Sequence, residues 1–386
     1  LHAYNQHRGG GGANNATLAT IEVSRAHGLE LEVFTRRSGD LAPSLSGRLQ
    51  AGLSAIYNRQ GVREFVARLE AFRPDVVHAH ELFPLVSPWI LPQCTRRGIP
   101  VVMSLVDYRL TCPVVTHLRG GQICASCSGG REYRALLHNC RGSLPESATM
   151  ALYSGLVRTL RLYSGHVSRF VTPSEFTRDW MVEQGALRAE RTSVLAPLVE
   201  FPESAADPAA GSYVAYAGRF AKEKGLDTLL EAARRTGLPF RLARNEKSLV
   251  GIEVSRDVEV VVTRGRHDLA AFYRGARLIV VPSVWFETFG LVGAEAMSHG
   301  IPAVASRIGA VAGLVEDGVD GLLFEAGNAA DLADKVAGLW NDAERLRRLG
   351  RAARDKVQRL WAPERHLEGL QEIYARARAE ARAARG

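Results

Sequence analysis

The chain has 386 residues, 46% of them hydrophobic, and a formal net charge of +8. That length suits two or three domains, and the composition suits a globular protein with a large core rather than a disordered or fibrous one. No apolar run reaches the length of a membrane span, and no secretory signal is visible, because Leu1-His2-Ala3-Tyr4 leads straight into a glycine run.

The absent initiating Met suggests a fragment with part of its first strand missing. Gly9-Gly10-Gly11-Gly12 follows that strand, and glycines let a backbone approach phosphate closely. A dinucleotide fingerprint would need a third glycine where Asn15 stands. The next strand, predicted over Leu29–Phe34, is followed by Thr35-Arg36-Arg37 without the acid that binds a ribose. Val62, Phe65, Val66 and Leu69 form one stripe of a helix over Arg63–Phe72. Pro74 introduces a strand over Asp75–His80, and Pro100–Leu105 reads as another. A cysteine-rich loop over 111–141, a helical run near 147–164 and a strand over Arg169–Pro173 complete this half. The join, Ala196 through Pro202 to Pro208, has the composition of a linker.

The second half opens on a strand over Tyr213–Ala217 and continues through a helix near 225–236 and strands near Phe240, Val258 and Leu278. A strand over Ala303–Ala305, a hairpin-like Asp320–Phe324 and an Ala/Arg/Glu-rich helix from Pro363 follow. Strands alternating with helices predict an α/β fold of two doubly wound parallel sheets, over residues 1–197 and 198–355, with a terminal helix over 356–386.

The most informative stretch is Phe286-Glu287-Thr288-Phe289-Gly290-Leu291-Val292-Gly293-Ala294-Glu295-Ala296-Met297, placed between an apolar strand and a helix. Free N–H groups near Phe289, Gly290 and Leu291 at the helix start receive anions. The carboxylates of Glu287 and Glu295 accept hydrogen bonds from hydroxyls. Phosphate plus hydroxyls describes a sugar nucleotide. Upstream, Gly218-Arg219 and Glu223-Lys224-Gly225 place two cations after a strand, where they would neutralise a leaving diphosphate.

This pattern resembles the retaining glycosyltransferases of family 4, which have the GT-B fold: a small residue (Ser283), E-x-F-G (Glu287 to Gly290), E-A-M (Glu295 to Met297), then Gly300-Ile301-Pro302, with G-R-x4-K-G over Gly218 to Gly225. The resemblance is dense from about Tyr213 to Phe324. It implies two Rossmann-like domains facing a cleft, with the donor, a nucleoside diphosphate sugar, in the C-terminal half. By resemblance, Glu287, Arg219 and Lys224 act on the donor sugar and diphosphate. Glu295 takes the ribose, and Phe289, Gly290, Leu291, Gly218 and the loop of Gly10, Gly11 and Gly12 line the donor site. Catalysis needs no cofactor or metal. The acceptor, a glycan or lipid-linked glycan, would sit on the N-terminal domain near His80 and Asp107, in surface polysaccharide, lipopolysaccharide or glycolipid synthesis. The family pattern L-H-D/N-Y-R-L reads here Leu105-Val106-Asp107-Tyr108-Arg109-Leu110, with Val106 where the family has His, so Asp107, His80 or His117 would have to compensate. The terminal helix crosses back onto the first domain in the family.

Cys112, Cys124, Cys127 and Cys140 contain one C-x-x-C flanked by two single cysteines, with Cys94 outside. Four thiolates suit a structural zinc; free or redox-active cysteines and an iron–sulfur cluster are the other readings. His117 and His138 are spare ligands. The rival to an enzyme is a non-catalytic protein that binds a sugar nucleotide or nucleic acid and uses a zinc-stabilised interaction loop. Nucleic acid is disfavoured because the basic residues lack interleaved aromatics. A cytoplasmic protein, in peripheral contact with an anionic inner membrane face, is the expected setting.

Overall fold

The computed structural model describes residues 1–6, 12–37, 56–245 and 258–383. They form two compact units. The N-terminal unit takes Leu1–Arg119, Cys124–Ala196 and His366–Gly386, and the C-terminal unit takes Gly120–Ile123 and Pro197–Arg365.

The N-terminal unit is built on six parallel strands in the order β2-β1-β3-β4-β7-β8. These are β1 (His2–Gln6), β2 (Val33–Arg37), β3 (Val77–Ala79), β4 (Val101–Ser104), β7 (Arg169–Thr172) and β8 (Thr192–Val194). The short strands β5 (Leu118–Arg119) and β6 (Gln122–Ile123) fall in the cysteine-rich stretch. Ala3, Val77, Val101, Val102, Met103, Phe170 and Val171 are buried. Such apolar runs are what strands covered on both faces require. The helix Arg59–Phe72 buries Val62, Phe65 and Leu69 as the stripe predicts. It starts four residues earlier than the periodicity suggests because the Asn58 side chain accepts from the Gly61 N–H, capping the first turn. The terminal helix Pro363–Ala383 lays Ile373 and Ala377 against Val76, Val102 and Val171 of this unit.

Two predicted elements differ from the structure. The strand expected over Leu29–Phe34 is β2 at Val33–Arg37, since Gly28, at positive φ, ends the preceding turn and pairing with β1 begins only at His2 and Val33. Asp320–Phe324 is not a hairpin. Its core is a fully buried parallel strand, β14 (Gly321–Phe324), paired with β13 (Ala303–Ser306) after a crossover through the helix Gly309–Leu314.

The C-terminal unit repeats the architecture with the order β11-β10-β9-β12-β13-β14, all parallel. Its further strands are β9 (Tyr213–Ala217), β10 (Phe240–Asn245), β11 (Val258–Thr263) and β12 (Ala276–Val281). In both sheets the first strand of the unit is internal, and the winding reverses beside it, between β1 and β3 and between β9 and β12. In open α/β sheets, ligands bind outside the carboxyl ends of the strands at such a reversal.

Beneath the helices of the N-terminal unit, His2, His78 and His80 are all buried. His2 Nδ1 is 3.0 Å from His80 Nε2, and the rings of His78 and His80 stack at 4.0 Å. His78 uses both nitrogens, to Tyr374 Oη (2.7 Å) and Ser104 Oγ (2.8 Å). One nitrogen of each of the three imidazoles lies within 4.8 Å of the others, a spacing that could hold a cation. However, stacked rings aim their lone pairs along parallel planes, and hydrogen bonds already occupy the nitrogens of His78. The group is a neutral hydrogen-bonded cluster. Burial, then nearby His366, pushes His80 down to about 3, and burial, then neighbouring His80, holds His2 and His78 well below the ordinary imidazole range.

These histidines bind protons in the unfolded chain near pH 6.5 but not in the folded unit, so stability is full above pH 6.5 and declines below it. Each group removes about 1.4 kcal/mol per pH unit in that range. The Tm should therefore fall steadily from pH 6.5 to pH 5; a Tm that stays level over that interval would contradict a neutral cluster.

Candidate functional site

The carboxyl ends of β9 and β12 carry the residues singled out in the C-terminal half. After β9, Gly218 sits at φ 149° and donates its N–H to Ala243 O. Tyr216 Oη then bonds Arg219 O at 2.8 Å, which turns the chain outward. The Arg219 side chain is 60% exposed and touches Glu223 at 3.2 Å, so its guanidinium is accessible from solvent. A single turn, Lys222–Lys224, ends at Gly225 with φ 70°. A Cβ at Gly225 would stand 1.8 Å from the carbonyl oxygen of Pro282, at the end of β12. Only glycine therefore lets the two strand ends close on each other. The Val284 N–H donates to Glu223 O at 3.0 Å and locks the contact.

That closure brings Lys224 to Glu287. Lys224 Nζ donates to Glu287 Oε1 at 2.7 Å, Ser283 Oγ donates to the same oxygen, and the ammonium lies 5.4 Å from the Trp285 ring. Burial alone would raise the Glu287 carboxyl, but the charge of Lys224 and the hydrogen bonds from Lys224 and Ser283 hold it below the usual range. Glu287 is thus a buried carboxylate whose ionised form Lys224 and Ser283 favour. Its own carbonyl accepts from the Ala310 N–H at 3.3 Å. Gly309, at φ 56°, passes so close that a Cβ would lie 3.0 Å from Phe286 Cα.

Gly290, at φ 98°, begins the helix Leu291–Ser298. The N–H groups of Gly293 and Ala294 return to Gly290 O, and those of Leu291 and Val292 have no carbonyl a turn ahead of them. Phe289 packs its ring edge-on to Trp361 at 5.1 Å. One turn into the helix, Glu295 accepts from Tyr273 Oη at 2.9 Å, and burial pushes its carboxyl up to about 7. The structure thus gathers Gly218, Arg219, Lys224, Glu287, Gly290, Leu291 and Glu295 around one pair of strand ends. Two partners were not read from the sequence. Ser283 stood there only as a small residue of the motif, and nothing in the sequence distinguishes Tyr273 from a core tyrosine.

In the N-terminal unit the predicted residues are more constrained. His80 belongs to the imidazole cluster. Asp107 Oδ1 accepts from Arg109 N–H (3.0 Å) and Nε (2.9 Å), and the same guanidinium pairs with Glu81. Burial would lower Arg109, but Asp107 and Glu81 raise it. His117 is tied to Thr111 Oγ1 (2.7 Å) and Cys124 O (2.8 Å). Gly12 opens the helix Gly12–Ala26, and Gly9, Gly10 and Gly11 lie outside the described residues.

Cys112, Cys124, Cys127 and Cys140 are free thiols in one neighbourhood. Burial and then the adjacent Cys112, Cys140 and Cys124 push Cys127 up to about 12. Ser126 and Arg119 outweigh burial at Cys124 and lower it. Among the described residues, no three of these sulfurs lie within 4.8 Å of one another, so the thiols are not drawn into a closed tetrahedron. His138 is exposed behind the helix Arg134–Leu137. No helix among the described residues is long and apolar enough to cross a membrane.

Residues 200–356 match the family model "Glycosyl transferases group 1", and residues 11–197 match "Glycosyl transferase 4-like domain". An uncharacterized glycosyltransferase of Methanocaldococcus jannaschii is 31% identical over 165 residues, which covers 41% of this chain but only 46% of that relative's length. D-inositol 3-phosphate glycosyltransferase of Saccharomonospora viridis is 26% identical over 427 residues, 96% of this chain and 90% of the relative. Among solved structures, Anabaena HepE in complex with UDP and glucose superposes with a TM-score of 0.65 at 17% identity, covering 97% of this chain and 99% of that one. This last likeness places the fold among GT-B glycosyltransferases.

Removing Lys224 would leave the Glu287 carboxylate buried without its cation. Lys224→Ala should cost about 3 kcal/mol in urea unfolding, and the double variant with Glu287→Gln should recover most of that. A loss under about 1 kcal/mol for the single variant would show that the pair is not a coupled buried ion pair.

Proposed function

The chain belongs to the group 1 glycosyl transferases, with a glycosyl transferase 4-like domain as its N-terminal half, and on that footing we propose that it transfers a sugar from a nucleoside diphosphate sugar to an acceptor hydroxyl with retention of configuration. The observation that carries this reading is the ionised Glu287 clamped by Lys224 beside the start of the helix Leu291–Ser298. The diphosphate lies on the N–H groups of Gly290 and Leu291, with Arg219 and Lys224 facing it, and the ribose hydroxyls donate to Glu295. As the bond from the sugar C1 to the phosphate oxygen breaks, negative charge grows on the phosphate, and preformed cations and N–H dipoles stabilise it without reorganising. The acceptor oxygen attacks C1 from the same face, and its proton passes to the departing phosphate. Glu287 orients the donor sugar and is not a covalent nucleophile, since Lys224 and Ser283 already bond one of its oxygens. In this scheme the cations do the work a catalytic metal would otherwise do.

HepE, in complex with UDP and glucose, supports a nucleotide-sugar donor. The acceptor is a glycan or a lipid-linked glycan of a surface polysaccharide or glycolipid, bound on the N-terminal unit. The +8 charge supports cytoplasmic work at an anionic membrane face. The reading also includes a structural zinc on Cys112, Cys124, Cys127 and Cys140, supported by four free thiols sharing one neighbourhood. They would have to close around the ion.

Two measurements test this. In a sugar-nucleotide panel, one donor should raise the Tm and be slowly hydrolysed, and both Glu295→Ala and Arg219→Ala should abolish these effects. If no donor binds and the variants match the parent, the chain is a binding module and not a transferase. Metal analysis of the purified protein should find about one zinc per chain, lost on replacing Cys127 by Ser; a metal-free protein of unchanged Tm would remove zinc from the reading.

A further inference from the structure

Six of the eleven large apolar side chains exposed among the described residues fall between Tyr133 and Leu160. Apolar side chains scattered singly over a surface need no explanation, but a cluster of them marks a contact. Tyr133, Leu136 and Leu137 belong to the short helix Arg134–Leu137 and its start, and Leu144, Leu152 and Leu160 to the helix Leu144–Thr159 and its C-cap. Leu137 is 71% exposed, and Leu144 and Leu152 are each 58% exposed.

The longer helix has its apolar side turned outward. Its inner face buries Ser147, Ala151, Tyr153 and Val157, two of which carry hydroxyls. Positions 144, 148, 152, 156 and 160 form a row of side chains four apart, which is one ridge along a helix. That row reads Leu, Ala, Leu, Leu, Leu, and none of its members is buried. A helix that packs only inward keeps leucines on the covered stripe and charge outside. This one carries only Glu146 and Arg158 as charges in 16 residues. Hydrogen bonds brace the surface. Ser147 Oγ accepts the Arg141 N–H at 3.1 Å and donates to Asn139 Oδ1 at 3.2 Å, and Arg158 Nε donates to Glu132 Oε1 at 2.5 Å.

The charge around the ridge is mostly of one sign. From Arg131 to Arg161 there are five arginines against two glutamates. Arg158 pairs with Glu132, and Arg141 lies 3.6 Å from Glu146. Arg131 and Arg134 meet backbone carbonyls, of Ser128 and Ser126, and keep their charge, and Arg161 is exposed. At Leu160 the ridge meets an open groove of about 670 Å³, lined also by Tyr57, Trp89, Arg96, Leu162 and His166. Aromatic rings with a polar tip settle at the level of lipid headgroups, where one end is apolar and the other wet.

We infer that this face docks the protein on an anionic phospholipid bilayer, with the leucine ridge in the acyl boundary and the arginines on lipid phosphates. A helix that lies in a membrane interface needs an apolar face and a cationic border, not the length of a span. A second copy of the chain on the same face would set these arginines against their own kind. The inference deepens the proposed function and rests on its lipid-linked acceptor at a membrane face. On the inner side of the helix, Tyr153 packs edge-on to Phe83 at 5.0 Å and bonds the Tyr163 hydroxyl at 2.9 Å. Phe83 is three residues beyond His80, so the docking helix backs the segment where the proposed acceptor lies.

Sedimentation of the full chain with vesicles tests this, with phosphatidylcholine alone and with phosphatidylcholine mixed with phosphatidylglycerol. The parent should bind the anionic vesicles at least about tenfold more tightly, by a margin that shrinks as salt rises. Leu144→Ser combined with Leu152→Ser should lower that binding at least about tenfold, and Leu137→Ser alone about threefold, with the Tm unchanged because these side chains are exposed. Arg131→Gln combined with Arg161→Gln should remove most of the preference for anionic lipid. A parent that stays in solution beside anionic vesicles, or leucine variants that sediment as it does, overturns the docking face. Dimerisation of the parent that the double leucine variant abolishes assigns the face to a second copy instead. The same preparations are titrated with sugar nucleotides by Tm. A donor response without vesicle binding leaves the transferase reading standing and removes this face, and vesicle binding without any donor response removes the transferase reading and leaves a lipid-binding surface.

Discussion

Everything at the carboxyl ends of β9 and β12 hangs on one ion pair across a reversal in strand order. Lys224 leaves β9 and Glu287 leaves β12, neighbours in the sheet but 63 residues apart in the chain. Holding them 2.7 Å apart requires the two loops to touch, and Gly225 against the Pro282 carbonyl is that touch. The pair fixes three things together. It keeps Glu287 ionised while buried, it holds the Lys224 ammonium over the Trp285 ring, and it sets the path of residues 284–290 into Gly290. The carboxyl of Glu295, one turn further on, has no such cation in hydrogen-bond contact and drifts up to about 7 instead. Two glutamates eight residues apart thus end in opposite electrostatic settings through their partners alone.

The N-terminal unit has the same topology and a different chemistry at its own reversal. Where β1 and β3 meet, the fold stores neutral imidazoles and a guanidinium shared by Asp107 and Glu81. A single strand order therefore supports a lysine–glutamate pair beside a helix start in one unit, and neutral imidazoles beside a guanidinium held by two carboxylates in the other. Sheet order decides where a site lies, and the side chains at the strand ends decide what it does.

Much of the C-terminal unit was legible in the sequence because its signals are local. A positive φ at Gly290, a helix start directly behind it and cations at a fixed interval after β9 all leave marks within a few residues. Partners separated by long stretches of chain leave none. Tyr273 and Glu295, or Arg109 and Glu81, meet only through the fold, and nothing about an isolated tyrosine or glutamate announces the meeting. The misplacement of β2 has a related cause. Leu29-Glu30-Leu31-Glu32 alternates like a strand, but pairing with β1 decides the register, and β1 offers its first partner to Val33. At β14 a short apolar run beside Asp320-Gly321 carries hairpin chemistry, yet the crossover through Gly309–Leu314 delivers it parallel. Asp107 reads as an available acid until Arg109, two residues on, is seen to fold back onto it.

The return of the terminal helix to the N-terminal unit has a consequence for how the protein is made. Ile373 and Ala377, which cover Val76, Val102 and Val171, leave the ribosome only after the whole of Pro197–Arg365 has done so. At ordinary elongation rates the gap is roughly ten to thirty seconds. During it, an apolar face of the older unit waits uncovered while the younger unit, continuous from Pro197 to Arg365, has most of its chain in hand. The order of synthesis and the order of completion of the two units are therefore reversed.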